Sequence, residues 1–134
     1  MDISQIGKWP VEGKLARRTG EFFKISRENR LSTIHGKTFP VLMSFYVSND
    51  FLHMGELVIP SGGTGPRASE PDKHAGDAVI HVESGPITFF IPETHEAYHV
   101  EEGEAMFIPE GTTYQCINYT GKLVKGIFAI APGI

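Results

Sequence analysis

From Phe39 to the C-terminus, apolar runs of four to nine residues alternate with turn residues so closely that no long helix fits between them. Pro40 to Ser48 and Leu52 to Ile59 are parted by Asn49-Asp50, a hairpin-type turn. The stretch Pro60-Ser61-Gly62-Gly63-Thr64-Gly65-Pro66 cannot lie inside a strand and must be a loop. Further strand-like runs occupy 78–83, 86–92, 97–101, 105–108, 113–118 and 122–130. Between them stand Ser84-Gly85, Glu93 to Glu96, Glu102-Gly103, Glu110-Gly111 and Thr120-Gly121. Short strands with turns this frequent define an all-β domain, an antiparallel barrel or sandwich. At 134 residues the chain is one domain, long enough to bury its own core.

Residues 1–30 read differently. Residues 1–20 are rich in glycine and charge, with Trp9-Pro10 as the bulky anchor, and form an arm rather than a core element. Glu21 to Arg30 fits either a strand or a short helix, and the strand is preferred. Residues 1–48 hold eight Lys/Arg against four Asp/Glu, whereas residues 49–134 hold four against twelve. Arg17-Arg18 is the only basic pair and no aromatics interleave it, so nucleic acid is not an expected partner. The positive arm, with Trp9, Phe22, Phe23 and Ile25, predicts a homodimer in which residues 1–30 of one subunit cross the other's acidic body. The alternative is an arm folded back on its own domain. The single cysteine, Cys116, excludes an internal disulfide and suits a reducing compartment. No apolar run approaches a membrane span and the N-terminus lacks a signal-peptide core, so a cytoplasmic protein with no membrane partner is expected.

The most specific stretch is Gly103 to Asn118, which reads G-x5-P-x-G-x2-Y-x3-N. Gly103 and the Pro109–Gly111 pair bracket a short apolar strand, Ala105 to Ile108. The strand after it carries Tyr114, Cys116 and Asn118 on one face, because side chains alternate with period two. This pattern resembles the second motif of the cupin superfamily, G-x5-P-x-G-x2-H-x3-N, with Tyr114 where cupins have a metal-binding histidine. The resemblance implies a jelly-roll β-barrel over 31–134, with residues 1–30 as an N-terminal arm.

Cupins carry a first motif as well, G-x5-H-x-H-x3/4-E-x6-G. Anchored on Gly85, its glutamate position falls on Ala78, its second histidine on His74 and its first on Asp72; the opening glycine is displaced by one, to Gly65. The four ligand positions therefore hold Asp72, His74, Ala78 and Tyr114. Alanine binds nothing, and a tyrosine phenol ionises only near pH ~10. No cofactor is favoured; a divalent transition metal would have to rest on Asp72, His74 and Tyr114.

These positions imply a pocket for a small molecule. His74 would act as base, oriented by Asp72, with Tyr114 as acid or oxyanion donor. Arg67 would clamp a carboxylate or pair with Glu70 or Asp72 instead. Cys116 would line the substrate pocket or serve as a small buried apolar residue. Tyr114 has its own structural alternative, a core tyrosine filling the volume of a lost metal. His81 falls out of phase with Ala78 and points outward, His95 and His99 belong to a solvent-side hairpin, and the face of His53 is open. No G-x-S-x-G elbow, phosphate loop or C-x-x-C is present. Two functions follow: an isomerase- or lyase-type enzyme acting on a small polar or carboxylated metabolite, or a non-catalytic ligand-sensing or accessory cupin that has lost its metal site. The run Gly103 to Gly111 and the apolar strand after it are also similar to ethanolamine-utilisation cupins, which lack the usual histidines. A dioxygenase is disfavoured by the incomplete ligand set.

Overall fold

The computed structural model describes residues 8–35, 41–65 and 73–134. Its elements in chain order are α1 (Val11–Thr19), β1 (Leu31–His35), β2 (Val41–Ser48), β3 (His53–Ile59), β4 (Thr64–Gly65), β5 (Gly76–Ser84), β6 (Ile87–Ile91), β7 (Glu96–Val100), β8 (Ala105–Ile108), β9 (Gln115–Ile117) and β10 (Val124–Pro132). One sheet has the order β1-β2-β3-β10-β5-β8 and the other β4-β9-β6-β7. Every strand pairing among the described residues is antiparallel.

Period-two alternation builds the core. On β5, Ala78, Ile80 and Val82 face inward while Asp77, Val79, His81 and Glu83 face out. On β10, Val124, Phe128 and Ile130 do the same. They join Phe45 and Ile59 of the larger sheet and Ile87, Phe89 and Cys116 of the smaller in one apolar cluster. Burying each large apolar side chain contributes about 1.5–3 kcal/mol. Phe128 meets Phe45 edge-on, with ring centroids 5.5 Å apart. That contact requires Gly55, since a Cβ there would sit 2.8 Å from Phe128 Cζ and collide with the Ser44 carbonyl.

The N-terminal part departs from the sequence reading. The segment 21–30 is not a strand: residues 21–26 have no regular structure and a turn follows, closed by Asn29 N–H donating to Ser26 O. The open edge of β2 is already taken by β1, whose register runs from Leu31↔Phe45 to His35↔Val41 and which strand propensity did not mark. The arm also holds the helix α1. Glu12 in its first turn and Arg17 and Arg18 in its last complement the helix dipole, and Gly20 closes it in the left-handed conformation. Residues 8–17 lie against the β2–β3 turn. Trp9 N–H donates to Ser48 O at 2.7 Å, Lys8 pairs with Asp50, and the Arg17 guanidinium lies 3.6 Å above the Phe51 ring centroid. Phe22 remains fully exposed and Phe23 partly so. Among the described residues no helix is long and apolar enough to cross a membrane.

Two buried polar side chains lock distant segments together. Asn118 is wholly buried, and its amide nitrogen lies 3.0, 3.0 and 2.7 Å from the carbonyls of Ile59, Pro60 and Lys122. Its Oδ1 accepts from the N–H and hydroxyl of Thr120. Two N–H bonds cannot be straight to three carbonyls, so one is shared, but both ends of the amide are satisfied. His53 is likewise buried. Its Nε2–H donates to the Pro132 carbonyl at 3.1 Å, which leaves Nδ1 to accept from the Ser48 hydroxyl at 2.8 Å.

Asn118→Ala strands one buried and two part-buried carbonyls and should cost about 2–4 kcal/mol in urea denaturation. A loss below about 0.5 kcal/mol would mean that those carbonyls find other donors. Burial holds the His53 imidazole below its usual value, opposed by its bond to Pro132 and the charge of Asp50. A depressed histidine binds fewer protons folded than unfolded, so its contribution is complete above pH about 6.5 and is lost as the pH falls through the lower folded value. The denaturation midpoint should therefore drop on acidification below pH ~6.5, and more steeply than in His53→Gln. Parallel profiles for the two proteins would contradict this role.

Candidate functional site

The site is assembled where the chain crosses from one sheet to the other. After β8, the turn at Pro109–Gly111 is closed by Thr112 N–H donating to Pro109 O, with Gly111 at φ 77°. That left-handed conformation suits glycine. The turn is bound to the segment entering β5: Gly111 N–H donates to the His74 carbonyl at 3.0 Å, and Glu110 N–H to Asp77 Oδ1 at 2.9 Å. Tyr114 leaves the turn three residues later and enters β9, whose residue Cys116 pairs with Phe89 of β6 and Gly65 of β4. The glycine-rich loop is thereby set beside the same strand.

These constraints bring His74 and Tyr114 together. His74 Nε2 lies 2.7 Å from the Tyr114 hydroxyl, with ring centroids 5.5 Å apart and the planes tilted by 51°. His74 is 6% exposed and Tyr114 3%. With the imidazole proton on Nδ1, the phenol donates to Nε2; with it on Nε2, the ring donates to the phenol oxygen. Either way one proton lies between two groups that can both give and take it.

Around the pair, Ala78 is fully buried at the position the motif assigns to a glutamate, and Cys116 is buried two residues beyond Tyr114. Gln115 is buried as well, although strict alternation turns it away from Tyr114 and Cys116. Sequence reasoning passed over it, and a polar residue between two motif positions was the available signal. Asp72 and Arg67 lie outside the described residues. His81 and His95 are exposed on outward positions. His99 is exposed too, 3.1 Å from the Thr88 hydroxyl and 3.3 Å from Glu101.

The described residues do not make a metal site. No three His, Cys, Asp or Glu side chains among them converge as ligands. Ala78 has no donor atom, and the His74 Nε2 that would face an ion is bonded to the phenol.

No family model matches the sequence, and no curated protein matches it. Solved structures do. The polyketide cyclase RemF from Streptomyces resistomycificus is 18% identical with a TM-score of 0.66, over 82% of this chain and 79% of that one. An RmlC-like cupin from Shewanella frigidimarina is 15% identical with a TM-score of 0.63, over 84% and 91%. The EutQ protein of Clostridium difficile is 18% identical with a TM-score of 0.57, over 82% and 81%. Together with two antiparallel sheets enclosing one core, this likeness shows that the chain shares the fold of these cupins.

Proposed function

We propose that this protein is an enzyme that binds a small polar or carboxylated metabolite beside His74 and Tyr114 and moves a proton on it, as an isomerase or lyase does. The observation that carries the reading is the 2.7 Å hydrogen bond between two buried, proton-active side chains at positions where cupins hold metal ligands. Buried polar groups are costly unless satisfied, and here each partner satisfies the other. With the phenol donating to Nε2, its oxygen keeps a lone pair for a substrate proton. As that proton arrives, the phenol's own passes to Nε2, so the substrate becomes an anion, the imidazole a cation, and the phenol stays neutral. Return by the same route to a different substrate atom completes an isomerisation; loss of a β-substituent from the anion completes an elimination. Tyr114 would also donate to an oxygen on which charge develops. In this reading Asp72 orients the imidazole, Arg67 holds the substrate carboxylate, and Cys116 forms part of the wall. No step runs through a metal. Likeness of fold to a polyketide cyclase supports a small-molecule substrate.

A second reading, a ligand-sensing or accessory cupin without turnover, is favoured by one observation: Ala78 puts a buried methyl group where the motif has a carboxylate.

Deuterium exchange separates the two. Small oxo acids that raise the melting temperature are incubated with the protein in heavy water, and loss of the hydrogen next to the carbonyl is followed by proton NMR. The enzyme reading expects exchange by the wild type and a fall of about 10²–10⁴-fold in Tyr114→Phe and His74→Gln. Exchange at wild-type rates in both variants contradicts the proton pair. Binding without exchange supports the accessory reading.

A further inference from the structure

A cavity of about 390 Å³ lies between α1 and the β2–β3 turn, walled by residues 8–25 and 47–51 and by no residue of the His74–Tyr114 site. Its size falls within the range of small-molecule sites, about 300–1,000 Å³. Its walls combine two chemistries. Trp9, Phe23 and Phe51 present aromatic surface, while Lys8, Lys14 and Arg17 bring three cations against the two carboxylates of Asp50 and Glu21.

The charges are unevenly satisfied. Lys8 is paired with Asp50. The Asp50 carboxyl is held below the usual carboxylate range, first by the Lys8 hydrogen bond and, against some burial, by the fields of Lys14 and Arg17. One carboxylate thus sits among three cations. Neither Lys14 nor Arg17 has an ion-pair partner of its own among the described residues. Arg17 stacks its guanidinium face on Phe51 at 3.6 Å, and stacking of that kind leaves the in-plane N–H groups for an anion. Trp9 adds a buried indole N–H with no acceptor among the described residues.

We propose that this cavity is a binding site for a small aromatic carboxylate, with Lys14 and Arg17 holding the carboxylate and Trp9 and Phe51 flanking the ring. The inference is independent of any activity at His74 and Tyr114.

Trp9 is the only tryptophan in the chain, so its fluorescence reports on this cavity alone. The titrants are hydrocinnamate and its uncharged amide. A saturable change is expected with the acid, with affinity for the amide weaker by about tenfold. Arg17→Gln should weaken the acid by a similar factor and Lys14→Gln/Arg17→Gln further; both positions lie on exposed faces of α1, and circular dichroism checks that the fold persists. Tyr114→Phe should bind as the wild type does. No saturable change, equal affinity for acid and amide, undiminished binding by the double variant, or loss of binding in Tyr114→Phe would each overturn the proposal.

Discussion

Gly111 donates its N–H to the carbonyl of His74, and two residues of chain then carry the path to the Tyr114 ring. This backbone bond joins segments far apart in sequence, and it is where the larger sheet hands the chain to the smaller one. Glu110, held by Asp77, keeps the corner from rotating. With the corner set, the phenol has little freedom except to enter the interior beside the imidazole, where the two rings satisfy one another at 2.7 Å. The spacing of Pro109, Gly111 and Tyr114 is therefore a placement device. It delivers a chosen side chain to one interior point, and the chemistry there depends on what that side chain is.

With a phenol at Tyr114 and only a methyl group at Ala78, the electrostatics of that point rest on the phenol and the His74 imidazole. A cluster of charged and lone-pair ligands needs a cation to balance it, whereas a phenol and an imidazole balance each other through a shared proton. The other interior polar groups follow the same economy. Asn118 bridges three carbonyls and a threonine, and His53 spans a serine and the last strand. Each links chain segments that would otherwise leave buried backbone groups to water.

Much of the fold was readable because turns demand particular residues. Glycine at Gly111 accepts a left-handed backbone, and alternation on β5 and β10 separates core from surface residue by residue. The pairing of His74 with Tyr114 followed from motif spacing for the same reason. Other features were hidden because their causes are non-local. Helix α1 carries proper end charges and a glycine cap, but at nine residues it is too short for its helical period to stand out from the sequence. Strand β1 is short and places Ser32 opposite Ser44, a polar contact that alternation does not flag. The place of His53 depends on Pro132, 79 residues away, and the cavity beneath α1 depends on residues 8–25 meeting 47–51. The charge asymmetry along the chain led to the expectation of a homodimer; within one chain, Lys8 pairs with Asp50 across the two charge-biased parts.

The central claim is that Tyr114 and His74 share a proton in the interior. Long-range proton–nitrogen correlation NMR of the imidazole rings tests it directly. In the wild type the His74 Nε2 resonance should carry the signature of a single hydrogen-bonded tautomer, and in Tyr114→Phe that resonance should move while those of the exposed His81 and His95 stay in place. A His74 Nε2 resonance unchanged by the loss of the phenol would contradict the account.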